Sequence, residues 1–176
     1  MSFNHDLIDF LIRNLKIKDS DTVLDFGFGD GYLLKKLNCK KYGIEKGDDL
    51  LEMDFNYIFF LDVIEHIPLN ELQNVFKYFK RTLKNDGLLV ISTPNINNLY
   101  QLIRFWEQPL HVRPYPRRSI EALCRWHGLK VKEVKGFHYF KNPYKVLVNL
   151  FLGLDWHNKN IFIIKKLEGT KEVKEK

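Results

Sequence analysis

The chain has 176 residues, 45% of them hydrophobic and 28% charged, and a formal net charge of +6. That length suits one folded domain with a substantial core, and no apolar stretch is long enough for a bilayer-spanning helix. Cys39 and Cys124 lie outside any C-x-x-C pair, which argues against a disulfide framework and fits reduced thiols in a cytoplasm.

From the N-terminus, Met1 to Asp6 lack the basic-then-apolar pattern of a signal peptide, so a cytoplasmic location is expected. Leu7, Ile8, Leu11, Ile12 and Leu15 share one face of a predicted helix over 4–15, which packs beside the ligand site. A strand over 22–26, a helix over 31–37 and a strand over 41–45 follow, then a strand over 57–61. Pro68 and Asn70 open a helix carrying Leu72, Val75, Phe76, Phe79 and Leu83. Asp86-Gly87 turns into a buried strand over 88–92, and Asn97 or Asn98 caps a short helix with Leu99, Leu102, Ile103 and Trp106. A helix over 117–127 stops at Gly128. Strand 129–135, an apolar helix over 143–152 and strand 160–166 complete the pattern. Strand and helix alternate, which predicts an α/β doubly wound, mostly parallel sheet with helices on both faces. The single domain is expected to span 1–168, with 169–176 as a charged, disordered tail. The apolar run within 143–152 is equally consistent with a buried helix, a pocket wall or an oligomer contact. The positive balance mildly favours anionic partners.

The most informative segment is Asp25-Phe26-Gly27-Phe28-Gly29-Asp30-Gly31, placed between the first strand and the first inner helix. Glycines there let the backbone approach a ligand closely. Glu45 ends the next strand, where a carboxylate can accept hydrogen bonds from both hydroxyls of a ribose. The dinucleotide fingerprint G-x-G-x-x-G requires a glycine where Tyr32 stands. Asp25 and Asp30 would repel a pyrophosphate and attract a ligand bearing ammonium and sulfonium charges. These features point to S-adenosylmethionine rather than NAD.

Val23-Leu24-Asp25-Phe26-Gly27-Phe28-Gly29-Asp30-Gly31 resembles the first motif of class I S-adenosylmethionine-dependent methyltransferases, V-L-D-x-G-x-G-x-G. Gly43-Ile44-Glu45 resembles the second motif of that family, and Phe59 to Ile67 its fourth strand and the turn after it. Lys84 to Asn95 is similar to the fifth-strand region of the ubiquinone-biosynthesis-like branch. His111 to Tyr115, with Ser119 to Leu129, resembles a later segment of that branch. The resemblance covers nearly the whole chain in order. It implies a Rossmann-like fold and S-adenosylmethionine as cofactor. Asp25, Gly27, Phe28, Gly29 and Asp30 would hold the methionine part, Glu45 the ribose, and Leu61 with Asp62 the site floor.

One region departs from the family. Lys46 to Asn56 is too short to hold both a helix and a third strand, since a crossover of that kind takes more than about ten residues by itself. A sheet of about six strands is therefore expected, with the third strand missing or vestigial. The acid that usually follows that strand and holds the adenine amino group has its remnant in Gly47-Asp48, which makes Asp48 the candidate and Asp49 the second choice.

Methyl transfer needs donor and acceptor held in line, and a base only where the acceptor loses a proton. His66 and His111 lie toward the carboxyl edge of the sheet and are the expected catalytic groups; the bland alternative for each is a structural hydrogen bond. Trp106, Arg113 and Tyr115 are expected on the substrate side. The default acceptor is a small molecule with an oxygen nucleophile. Asp62, Glu65 and His66 also resemble the metal-binding turn of small-RNA 2′-O-methyltransferases, with Asp62 for the first Glu. Only His111 answers to the later histidines of that family, so no metal is assigned. Two rivals stand beside the small-molecule enzyme: a non-catalytic or partner-dependent cofactor-binding protein, motivated by the shortened segment, and a metal-using RNA modifier. For the latter, Arg104, Arg113, Arg117 and Arg118 would form the basic patch, although a solvated face is favoured.

Overall fold

A computed structural model describes residues 3–45, 47–138 and 157–167. In chain order the elements are α1 (Phe3–Asn14), β1 (Thr22–Phe26), α2 (Tyr32–Lys36), β2 (Lys40–Ile44) and β3 (Phe55–Leu61). A 3-10 turn (Ile64–His66), α3 (Leu69–Thr82), β4 (Leu83–Pro94), α4 (Leu99–Glu107), α5 (Arg117–Trp126), β5 (Leu129–Phe137) and β6 (Lys159–Lys166) follow. The strands form one six-stranded sheet in the order β2-β1-β3-β4-β6-β5. The first four run parallel, while β6 is antiparallel to both β4 and β5.

Period-two alternation builds the two core layers. Val23, Phe59, Leu61, Val90, Ile161 and Ile163 face one side, where Leu7 and Leu11 of α1 and Leu33 of α2 cover them. Leu24, Phe26, Ile58, Phe60, Ile91, Phe162 and Ile164 face the other, under Phe76 and Phe79 of α3 and Ile120 and Leu123 of α5. A sheet buried on both faces explains why these strands read as nearly unbroken apolar runs.

The shortened region is as the length requires. Between β2 and β3 the described residues contain neither helix nor strand, and β2 forms the sheet edge. The connection is instead pinned from α3, where the Tyr78 hydroxyl donates to Leu51 O at 3.1 Å and Arg81 pairs with Glu52. One boundary differs from expectation. Strand β4 runs straight through Asp86-Gly87, because the pairing with β3 shifts register between Phe55 and Tyr57 and absorbs the extra residues as an irregularity. Asn98 is the cap of α4, with its side chain accepting from Gln101 N at 3.3 Å. The apolar run 143–152 and the charged tail 169–176 lie outside the described residues. Among the described residues no helix is long and apolar enough to cross a membrane.

Candidate active site

Strand β1 lies between β2 and β3, so the chain leaves it in opposite directions and opens a crevice at the carboxyl ends of β1 and β3. The glycine turn fills the β1 side of that crevice. Gly27 has φ +83° and donates its N–H to Ile44 O at 2.7 Å; any Cβ there would collide with the Val63 side chain. Gly43 is constrained differently: its bare Cα accommodates the Phe28 ring, 2.5 Å from where a Cβ would stand. The Phe28 ring therefore packs onto β2, and the turn faces the crevice with backbone.

Two hollows meet at this turn. The larger, about 340 Å³, is lined by Phe26, Gly27, Gly29, Glu45, Gly47 and Asp48 on one side and by Leu50, Val63, His66, Ile67, Glu71 and Val75 on the other. The smaller, about 200 Å³, is lined by His5, Ile8, Asp25, Gly27, Phe28, Gly29, Asp30 and Leu61. Glu45 accepts from Gly29 N at 2.7 Å, and its own N–H donates to the Asp48 carboxylate at 2.8 Å. One Asp48 oxygen is thus committed to fixing Glu45, while the residue still borders the larger hollow. In the smaller hollow, burial and then the Glu45 and Asp30 charges push the Asp25 carboxyl up to about 7. Asp30 accepts from Tyr32 N at 3.0 Å at the start of α2 and pairs with His5 at 2.8 Å. That histidine bond, more than any other influence, lowers its pKa. Lys35, on α2, donates to Asp30 O at 2.9 Å.

The β3 side is a side-chain network. Asp62 has φ +55°, a left-handed conformation that Asp tolerates better than most residues. Its carboxylate accepts from Ser92 Oγ at 2.9 Å and is ion-paired with Lys159 at the start of β6. Glu65 is 1% exposed, and burial pushes its carboxyl up to about 7. It accepts from Thr93 Oγ1 at 3.2 Å, and its backbone O accepts from Val112 N at 2.8 Å. That bond carries the segment after α4 back to the 3-10 turn and sets His111 beside His66, with ring centroids 4.8 Å apart. His66 Nδ1 is 2.9 Å from Leu110 O, and His111 Nδ1 is 2.9 Å from Phe105 O. Burial lowers the pKa of His111 first, with the neighbouring His66 adding to it.

The sequence-derived residues therefore separate into groups. Asp25, Gly27, Phe28, Gly29, Asp30, Glu45, Asp48 and Leu61 border the two hollows, and His66 joins the larger one. His111 sits against His66, and Asp62 is turned toward Lys159 and Ser92. The three expected substrate-side residues do not form one wall. Tyr115 is 1% exposed, donating to Ile67 O at 3.4 Å, and its ring joins the apolar core under α3 and α5. Phe105 is the residue α4 turns inward, so its neighbour Trp106 projects outward, 63% exposed. Arg113 is exposed, with its guanidinium 5.5 Å from the centroid of the Tyr115 ring. Sequence reading placed Ile8 beside the ligand site and missed His5, Val63, Lys159 and Thr93. The helix that carries Ile8 also carries His5, and that adjacency was its signal; Lys159 carried none, being far from Asp62 in the chain.

The model of the methyltransferase domain family matches residues 2–134. No curated protein matches the chain. Among solved structures, a SAM-dependent methyltransferase from Archaeoglobus fulgidus superposes with a TM-score of 0.72 at 18% identity, covering 92% of this chain and 94% of that one. A mycolic acid cyclopropane synthase complexed with SAH (S-adenosylhomocysteine) gives 0.66 at 14% identity, over 92% and 83% of the two chains. Magnesium protoporphyrin IX methyltransferase from Synechocystis PCC 6803, with bound SAH, gives 0.60 at 13% identity, over 92% and 80%. With the family model spanning the glycine turn, Glu45 and both histidines, the chain belongs to the methyltransferase domain family.

Proposed function

We propose that the chain is an S-adenosylmethionine-dependent methyltransferase that acts on a small molecule through an oxygen nucleophile. One observation carries the cofactor assignment: two hollows adjoin at Gly27 and Gly29, with Glu45 on the larger and Asp25 on the smaller. The larger volume suits a nucleoside and is mostly apolar apart from its carboxylates; the smaller suits an amino-acid end. Carboxylates on both sides favour a cationic ligand and disfavour a pyrophosphate.

The cofactor supplies a methyl group on a positively charged sulfur, already activated for transfer. Glu45 accepts from the ribose hydroxyls once they displace Gly29 N, and Asp48 keeps Glu45 in place through its N–H. Asp25, ionised by the approaching ammonium, holds the amino-acid end, with backbone from the glycine turn beside it. Val63 and Leu50 exclude water from the base. His66 and His111 form the acceptor side, and the exposed Trp106 and Arg113 flank it. The lowered pKa of His111 keeps that ring neutral at pH 7 and able to receive a proton. An RNA acceptor is less well supported, because Arg117 is paired with Glu121 and Arg104 lies 4.0 Å from Glu107.

Calorimetric titration with SAH tests this reading, with a Glu45→Ala variant alongside. One-to-one binding by the wild type, weakened by about 2–3 kcal/mol in the variant, is expected for loss of a charged acceptor to two hydroxyls. Absence of binding by the wild type would sink the cofactor assignment and favour the partner-dependent alternative.

A further inference from the structure

We propose that Glu65, His66 and His111 form a binding site for a divalent transition-metal ion, best suited to zinc, with an open position toward the larger hollow. Each of the three offers one ligand atom, and these atoms lie within 4.8 Å of one another. Ligation at about 2.1 Å requires separations near 3.4 Å for tetrahedral geometry, so the cluster would close by up to about 1.4 Å around an ion, within reach of imidazole rotation.

The tautomers favour an ion. A carbonyl oxygen can only accept, so Nδ1 of His66 carries its proton toward Leu110 O and Nδ1 of His111 carries its proton toward Phe105 O. Both Nε2 atoms are left with lone pairs. Two neutral imidazoles each oriented by a backbone carbonyl, and a carboxylate oriented by a hydroxyl, is the outer arrangement metal ligands usually have. Thr93 supplies that hydroxyl to Glu65 at 3.2 Å. Glu65 is almost fully buried and no cation contacts it among the described residues, so its negative charge would be balanced by a bound ion. Two nitrogens and one oxygen suit zinc better than magnesium or calcium.

The ligand set has three members. Asp62 stands at the spacing that would make it a fourth, but Lys159 and Ser92 already hold its carboxylate. Three protein ligands leave a position for an outside oxygen, and His66 lines the larger hollow, so that position opens onto it. An acceptor hydroxyl reaching that position, at the His66 edge of the hollow and beside the nucleoside, would lose its proton to solvent rather than to His111, whose Nε2 is then a ligand, and present its oxygen as the anion. Service to methyl transfer rests on the reading above; ion binding does not.

The test is equilibrium dialysis of the full chain against zinc, followed by metal analysis, with SAH titration run separately on each sample. About one zinc ion per chain is expected in the wild type. His66→Ala and His111→Ala should each lose it, and Thr93→Val should weaken it about tenfold to a hundredfold. His111→Ala should still bind SAH, which shows that the variant folds. Substoichiometric zinc in a wild type that binds SAH normally would overturn the proposal, as would zinc retained by both histidine variants. Zinc binding without SAH binding would leave the ion site standing and remove the cofactor reading instead.

Discussion

The β1–β2 half of the cleft is assembled from neighbours in sequence, from Asp25 to Asp48. The β3–β4 half draws on Asp62, Glu65 and His66, then on Ser92 and Thr93, on His111, and finally on Lys159. In the first half the backbone does most of the contacting and side chains are few: glycines at positive φ and two backbone N–H groups donating to carboxylates, Gly29 to Glu45 and Glu45 to Asp48. In the second half, buried and half-buried side chains from four separate segments satisfy one another. The first kind of site is fixed by local conformation, and the second exists only when the sheet has closed. Substitutions should therefore act differently in the two halves.

The largest effect is expected on the long-range side. Lys159→Met leaves the mostly covered Asp62 carboxylate with Ser92 but without its cation, at a cost of about 3–5 kcal/mol in chemical denaturation. Adding Asp62→Asn should recover more than half of that loss; no recovery would mean that Lys159 acts through packing alone. Next, Gly27→Ala places a Cβ at positive φ against Val63 and should cost about 2–4 kcal/mol. For a chain of this size that lowers Tm by about 5–15 °C. A Tm within a degree or two of wild type would show that the turn is free to rearrange.

Glu45→Ala should leave stability nearly unchanged while weakening SAH by about 30- to 150-fold, which separates binding from folding in the local half. The pH dependence of binding sharpens the same point. Asp25 has an ordinary value of 3.8 and is pushed up to about 7 in the folded chain. The folded state therefore holds this proton more firmly than the unfolded state, and the contribution of Asp25 to stability declines as pH rises from about 4 to 7. Binding runs the other way, because the ligand's ammonium requires the ionised carboxylate. SAH affinity should rise about tenfold between pH 6 and 8, and Asp25→Asn should flatten that profile. An equally steep profile in the variant would assign the titration elsewhere. The smallest effect is expected for Tyr78→Phe, which strands Leu51 O and should cost about 1 kcal/mol. If SAH affinity falls with it, the shortened connection takes part in the nucleoside hollow through its attachment to α3.

Several elements could be read before folding because their cause is local. The turn at Gly27 needs an absent Cβ, the cap at Asn98 needs a short polar side chain, and the strands of a doubly covered sheet need continuous apolar runs. The missing third strand was readable as well, since Lys46 to Asn56 cannot supply the residues. The direction of individual side chains was not readable. Phe28 sits in the motif yet turns away onto Gly43, and Tyr115 sits in the expected substrate segment yet fills the core. For Tyr115 the burial of an aromatic ring, worth roughly 2–3 kcal/mol, outweighs any pull toward the cleft; the half-buried Phe28 ring instead occupies the space left open at Gly43.

By itself the sequence determined the family, the succession of strands and helices with its deletion, and the carboxylates at the glycine turn and at the end of β2, because each follows from spacing and residue type within a short stretch of chain. Only the tertiary structure decided that Lys159 neutralises Asp62 and that His111 comes to rest beside His66 with Glu65 beneath them. Those meetings join residues distant in the chain, and their geometry is set by sheet register and by one backbone bond, Val112 N to Glu65 O.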